Sequence, residues 1–92
     1  MLYIVSYDLN AQASEYARLH ELLGAYPASR RILQSTWLIR TDNAVRQVYE
    51  NLVPAIRKPD RLLVVDVSRS AYYGWMPADV WPWIRDHWGD NS

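Results

Sequence analysis

The polar and apolar positions of this chain change rhythm several times, and each change predicts an element. Leu2 to Tyr7 is a run of six apolar or small residues, rich in β-branched and aromatic types, which predicts a strand covered on both faces. Asp8 and Asn10 follow with turn chemistry. Tyr16, Leu19, Leu22 and Leu23 then fall at i, i+3, i+6 and i+7, with Ser14 placed as N-cap and Gly24 just past the end. That spacing predicts a first helix with its leucine face on the sheet. Pro27 forbids its continuation.

Ala28 to Thr41 reads as strand material in two short lengths, Arg30 to Gln34 and Ser35 to Arg40, broken near Gln34 and Ser35. Asp42 or Asn43 can cap a second helix with apolar positions Val45, Val48, Tyr49 and Leu52, and Pro54 ends or kinks it. After the polar connection Arg57-Lys58-Pro59-Asp60, Leu62 to Val65 with Val67 predicts a last strand buried on both faces. The order is strand, helix, strand, strand, helix, strand. It predicts an α+β fold, the ferredoxin-like βαββαβ sandwich, with an antiparallel sheet and two helices on one face.

In that plan the second face of the sheet is solvated, yet alternation fails on three strands here. Trp37 and Ile39 oppose Leu38, for example, and Leu63 and Val65 oppose Leu62 and Val64. A bare apolar face of that size exceeds what a soluble monomer exposes, so a symmetric partner is the expected cover. The C-terminal quarter places Tyr72, Tyr73, Trp75, Trp81, Trp83 and Trp88 close together. A short helix from Asp79 to Trp88 is expected, with Pro82 in its first turn.

Ninety-two residues, half of them apolar, describe one domain, 1–92, with a core of about 1–68 and a Trp-rich extension over 69–92. A chain this short buries roughly 60–65% of its unfolded surface, so a disulfide, a metal or a partner usually supports it. The absence of cysteine removes the first route and any thiolate zinc site. The start shows neither a signal peptide nor a membrane span, so a cytoplasmic protein with no membrane partner is expected. Ten basic and ten acidic residues balance to zero, which leaves nucleic-acid binding to local patches.

Asp8 leads the candidate chemistry, because a carboxylate at the carboxyl end of a central strand stands where α/β sheets present reactive groups. One such Asp from each chain of a dimer could hold Mg2+ or Mn2+ against a phosphodiester; the plainer alternative is an Asx turn. Asp66 is expected to pair with an arginine such as Arg40, or else to lie near the sheet's end in water. His20 and His87 have no ligand-spaced neighbours and read as ordinary histidines. The serines lack a nucleophile context, and no glycine-rich loop exists for a nucleotide. Arg30, Arg31 and Arg40 could grip phosphates, as could Arg57, Lys58 and Arg61, or they form a solvated basic face. Tyr3, Trp37, Trp75, Trp81 and Trp83 are assigned to a dimer or partner interface, with base stacking as the other use of the tryptophans.

The opening strand that ends in Tyr-Asp, a single helix, and then Arg31-Ile32-Leu33-Gln34-Ser35-Thr36-Trp37 together resemble CRISPR-associated protein two, the small partner of the spacer integrase. The style is that of stand-alone relatives labelled SinR-like, with Tyr-Asp-Leu-Asn, Ser-Thr-Trp-Leu, Asp-Arg-Leu-Leu-Val and a Trp-rich end. The resemblance covers most of Met1 to Val67. It implies a ferredoxin-like homodimer in which Asp8 matches a metal-binding, catalytic Asp of a magnesium-dependent endonuclease acting on RNA or DNA. It also implies a setting in antiviral defence. In adaptation complexes the same fold is a DNA-spanning scaffold. The competing class is a catalytically silent dimeric adaptor or inhibitor, such as a phage-borne one, that contacts another protein through Trp75 to Trp88.

Overall fold

The structure is a computed structural model that describes residues 1–10 and 16–87. Strands β1 (Leu2–Asp8), β2 (Ala28–Leu33), β3 (Thr36–Arg40) and β4 (Arg61–Asp66) form one antiparallel sheet in the order β2-β3-β1-β4. Helix α1 (Ala17–Gly24) follows β1, α2 (Val45–Leu52) follows β3, and α3 (Val80–His87) follows β4. This is a small α+β fold of the ferredoxin-like type, with β1 and β3 central as the order of elements predicts.

The hairpin break falls at Gln34 and Ser35, and Pro54 lies in a 3-10 turn that ends α2 at Leu52. The expected caps differ. Ser14 lies outside the described residues, and Gly24 is the last residue of α1 rather than the one beyond it. At α2 the cap position is Ala44, whose amide donates to the Gln47 Oε1 at 2.7 Å. Asn43 is held one residue too early, its amide donating to the Thr41 hydroxyl at 3.2 Å.

Strand pleating sends Tyr3, Val5 and Tyr7 to one face of β1, where Leu19 and Leu23 of α1 and Val48 and Leu52 of α2 meet them. Tyr16 and Ile39 complete this core. Burying each such leucine contributes about 1.5–3 kcal/mol, so the leucine spacing of α1 is what holds that helix to the sheet.

The second face corrects an expectation. Much of its cover comes from the chain itself, because α3 lies on it: Val80 and Ile84 form a second core with Leu2, Leu38 and Val67, flanked by Ile4, Ile32, Met76, Trp81 and Trp83. Pro82 sits in the first turn of α3, where its missing N–H costs no helical bond. Two arginines of this face hold the segment down. Arg30 pairs with Asp79 just before α3, and the Arg40 Nη1 donates to the His87 carbonyl at 2.6 Å, where the negative end of the helix dipole favours a cation. The cover stops short of β4, leaving Leu63 60% and Val65 39% exposed.

Asp66 does not pair with Arg40 either. Its Oδ1 accepts from the Ser68 amide at 2.9 Å and the Ser68 hydroxyl at 2.7 Å, an Asx turn closing the end of β4. These two bonds hold the Asp66 carboxyl below its ordinary range, against a smaller upward push from burial. No helix among the described residues is long and apolar enough to cross a membrane.

Candidate functional site

The end of β1 is where the polar residues gather. The Tyr7 amide donates to the Ser35 carbonyl at 3.1 Å, which brings the β2–β3 turn beside Asp8. On the other side Asp8 is in register with Arg61 of β4. Two cavities meet at this strand end. One, of about 220 Å³, is lined by Tyr7, Asp8, Leu9, His20, Arg31, Gln34 and Ser35. The other, of about 230 Å³, is lined by Ser6, Tyr7, Asp8, Arg61, Leu62 and Leu63. A broader groove of about 570 Å³ continues from Arg61 past Arg57 and Lys58.

Asp8 is exposed, and no described residue donates a hydrogen bond to its carboxylate. The Asx turn that would have been its plain explanation is therefore not made. The residues after it are fixed instead by Asp60, whose Oδ1 accepts from the Asn10 amide at 2.9 Å, while the Asn10 side-chain amide donates to the Pro59 carbonyl. Ser6, two residues before Asp8, shares a 3.4 Å hydrogen bond with the Thr36 hydroxyl.

The three arginines expected to grip phosphate separate. Pairing of Arg30 with Leu38 and Arg31 with Trp37 places neighbouring arginines on opposite faces of β2. Arg30 and Arg40 serve the packing of α3, as described above. Arg31 alone reaches the Asp8 end, its Nε and Nη2 both donating to the Gln34 carbonyl, the former at 2.9 Å. That clamp fixes the guanidinium at the rim of the cavity.

The five interface residues also divide. Tyr3 is 1% exposed, inside the helix-side core, with its hydroxyl donating to the Asn43 carbonyl at 2.7 Å, so it offers a partner no surface. Trp37 packs against the same core, and Trp81 and Trp83 pack into the second one. Trp75 is the exception at 98% exposure, beside a fully exposed Tyr73.

His20 is the residue that sequence reasoning set aside. Its Nε2 lies 3.3 Å from the Tyr7 hydroxyl, which accepts from the Trp37 Nε1 at 3.1 Å, and its ring stacks on that of Trp37. Burial, and then the nearby Arg31 guanidinium, lower its pKa below the usual histidine value, so the ring is neutral at pH 7. The only signal in the sequence was its place on α1 one turn before the helix end, facing the same side as Leu23.

Among the described residues no group of three or more His, Cys, Asp or Glu side chains could hold a metal ion. The donor set at the strand end is one carboxylate per chain. That fits a hydrated magnesium or manganese ion taken up together with a substrate phosphate, and it does not fit a resident protein cage.

No family model matches the chain, and no curated protein matches it in sequence. Among solved structures the chain is similar to a hypothetical protein, TT1823, from Thermus thermophilus, with 20% identity and a TM-score of 0.61 over 83% of this chain and 93% of that one. At that identity the likeness bears on the fold alone.

Proposed function

We propose that the chain is a homodimeric protein of the CRISPR-associated protein two kind, a cytoplasmic metal-dependent endonuclease that acts on RNA or DNA at Asp8. The observation that supports this reading is a single one: a carboxylate without a hydrogen-bond partner among the described residues, at the end of a central strand and the junction of two cavities, with Arg31 beside one and Arg61 beside the other. Asp8 would hold the ion, which when bound supplies neutralisation of phosphate charge and a more acidic water. The chain's own residues do the rest. Arg31 binds a phosphate, and the groove with Arg57, Lys58 and Arg61 leads the strand toward Asp8.

The test is cleavage of labelled RNA and DNA with magnesium or manganese. Asp8→Ala is expected to lower the rate by roughly 100-fold or more, the scale on which loss of a group acting on developing charge is felt. Asp66→Ala should leave it unchanged, because that carboxylate is occupied by Ser68. Equal cleavage by the Asp8→Ala protein and the parent would sink the mechanism. A sedimentation mass near one chain at micromolar concentration would overturn the homodimer.

A second reading is a silent adaptor or inhibitor that binds another protein, and the exposed Tyr73 and Trp75 favour it, since aromatic side chains left in solvent are the usual anchors of an interface. No cleavage together with a partner complex lost on Trp75→Ala would favour this reading.

A further inference from the structure

We infer that His20 is a phosphate-binding residue: together with Arg31 it forms a donor pair in the cavity between β1, α1 and the β2–β3 turn, and Trp37 and Tyr7 position it. The ligand class is a phosphate group carried by a nucleic-acid strand. This deepens the proposed nuclease reading and rests on it for the identity of the strand, though not for the phosphate.

The hydrogen-bond pattern around His20 accommodates a tautomer that donates into the cavity. An indole N–H only donates, so at 3.1 Å the Tyr7 hydroxyl accepts from Trp37, and its own proton is free to be given to the His20 Nε2 at 3.3 Å, the direction we assign. A neutral His20 then carries its proton on Nδ1, as a donor. The stack on Trp37 fixes the ring plane as well.

Arg31 supplies the matching charge. With Nε and Nη2 engaged by the Gln34 carbonyl, its Nη1 has no partner among the described residues. The site therefore offers a fixed guanidinium and an oriented imidazole within one cavity of about 220 Å³, with Ser35 and Gln34 also on its wall. Asp8 borders the same cavity, but alternation along β1 turns its side chain to the face opposite that of Tyr7. A phosphate held by the pair thus lies beside the carboxylate without displacing it. A neutral histidine that donates is suited to holding a phosphate oxygen, and a general base is not required of it.

The experiment follows the nitrogen signals of the His20 ring while inorganic phosphate, a short RNA and a short DNA of the same sequence are added. Both oligonucleotides and phosphate are expected to shift Nδ1, the strands at lower concentration. Arg31→Gln is expected to weaken phosphate binding roughly 10–100-fold, and His20→Gln roughly 3–10-fold, as loss of a charged and of a neutral donor respectively. Trp37→Phe keeps a stacking ring but removes the Nε1 donor. It is expected to redistribute the His20 proton between Nδ1 and Nε2 in the free protein, a change a merely structural role would not produce. Wild-type ring signals unmoved by phosphate and by both strands would overturn the inference.

The two readings fail separately. Cleavage that depends on Asp8 but keeps its KM and kcat in His20→Gln would remove the His20 role and leave the nuclease. A His20 response in a protein that never cleaves would remove the nuclease and leave the phosphate site. Asp8→Ala is expected to retain the His20 response.

Discussion

Ile84→Ala is expected to destabilise the protein by about 2–4 kcal/mol, because the side chain is 3% exposed and lies in a small second core that cannot collapse around the gap. For a chain of 92 residues with a total stability of about 5–14 kcal/mol, that is a large share. It corresponds to a drop in Tm of about 10–25 °C, read by urea or thermal denaturation. The same substitution tests which molecule covers the second face of the sheet. If α3 alone does so, the stabilities of parent and variant are both independent of protein concentration. If a partner shares the cover around Leu63 and Val65, the stabilities of parent and variant both rise with concentration, since association stabilises the folded form by mass action. A change below about 0.5 kcal/mol would mean that α3 does not pack as described. Arg30→Ala is the natural contrast. Its pair with Asp79 is largely exposed, so a loss under about 1 kcal/mol is expected although it anchors the same segment.

The comparison of α3 with the sheet shows where the sequence stopped being informative. That the strands were apolar on both faces was legible from Leu2 to Tyr7 and from Leu62 to Val65, and so was the order of elements. Which molecule supplied the cover was not. Alternation reports that a face is buried and carries no information on whether the burying residues come from the same chain. Helix α3 was itself expected, yet its eight residues with an internal proline gave no reason to prefer the sheet over a partner. The same ambiguity misplaced Tyr3. The pleat groups Tyr3 with Val5 and Tyr7 but does not say which group receives α1 and α2.

The divergence of the arginines was legible in the sequence. Arg30 and Arg31 are adjacent in one strand, so they had to diverge, and only one could serve a site on the helix side of the sheet. His20 lacked any such signal. Its role comes from Tyr7, Trp37 and Arg31, three residues on three strands, and that meeting depends on the register of β2 with β3 and on the tilt of α1. Asp8 was found because strand ends are where chemistry concentrates. Its lack of a hydrogen-bond partner among the described residues was visible only in three dimensions.

Tyr16→Ala is expected to carry the other large cost, about 3–5 kcal/mol, comparable to truncation of a buried aromatic ring. Tyr16 is 1% exposed, its ring lies 5.4 Å below the Arg57 guanidinium, and its hydroxyl donates to the Asp60 Oδ1 at 2.9 Å. Asp60 also accepts from the amides of Asn10 and Arg57, so one carboxylate joins the start of α1, the loop before β4 and the residues that follow Asp8. Partial burial pushes the Asp60 carboxyl up, and these hydrogen bonds more than offset it, leaving its pKa below the ordinary value of 3.8. A carboxylate held down in the folded state contributes stability above its unfolded pKa, and that contribution is lost as pH falls through the folded value. Tyr16→Phe keeps the ring and removes one donor, so it should cost less than Tyr16→Ala. The gap between Tyr16→Phe and the parent is expected to be full at pH 7 and to close below pH 3.8, where Asp60 takes up its proton in both proteins. Denaturation curves collected from neutral to acid pH measure this directly. A gap that stays constant into acid would show that the Tyr16 hydroxyl acts through packing and not through Asp60, and the loop after Asp8 would then lack the support assigned to it.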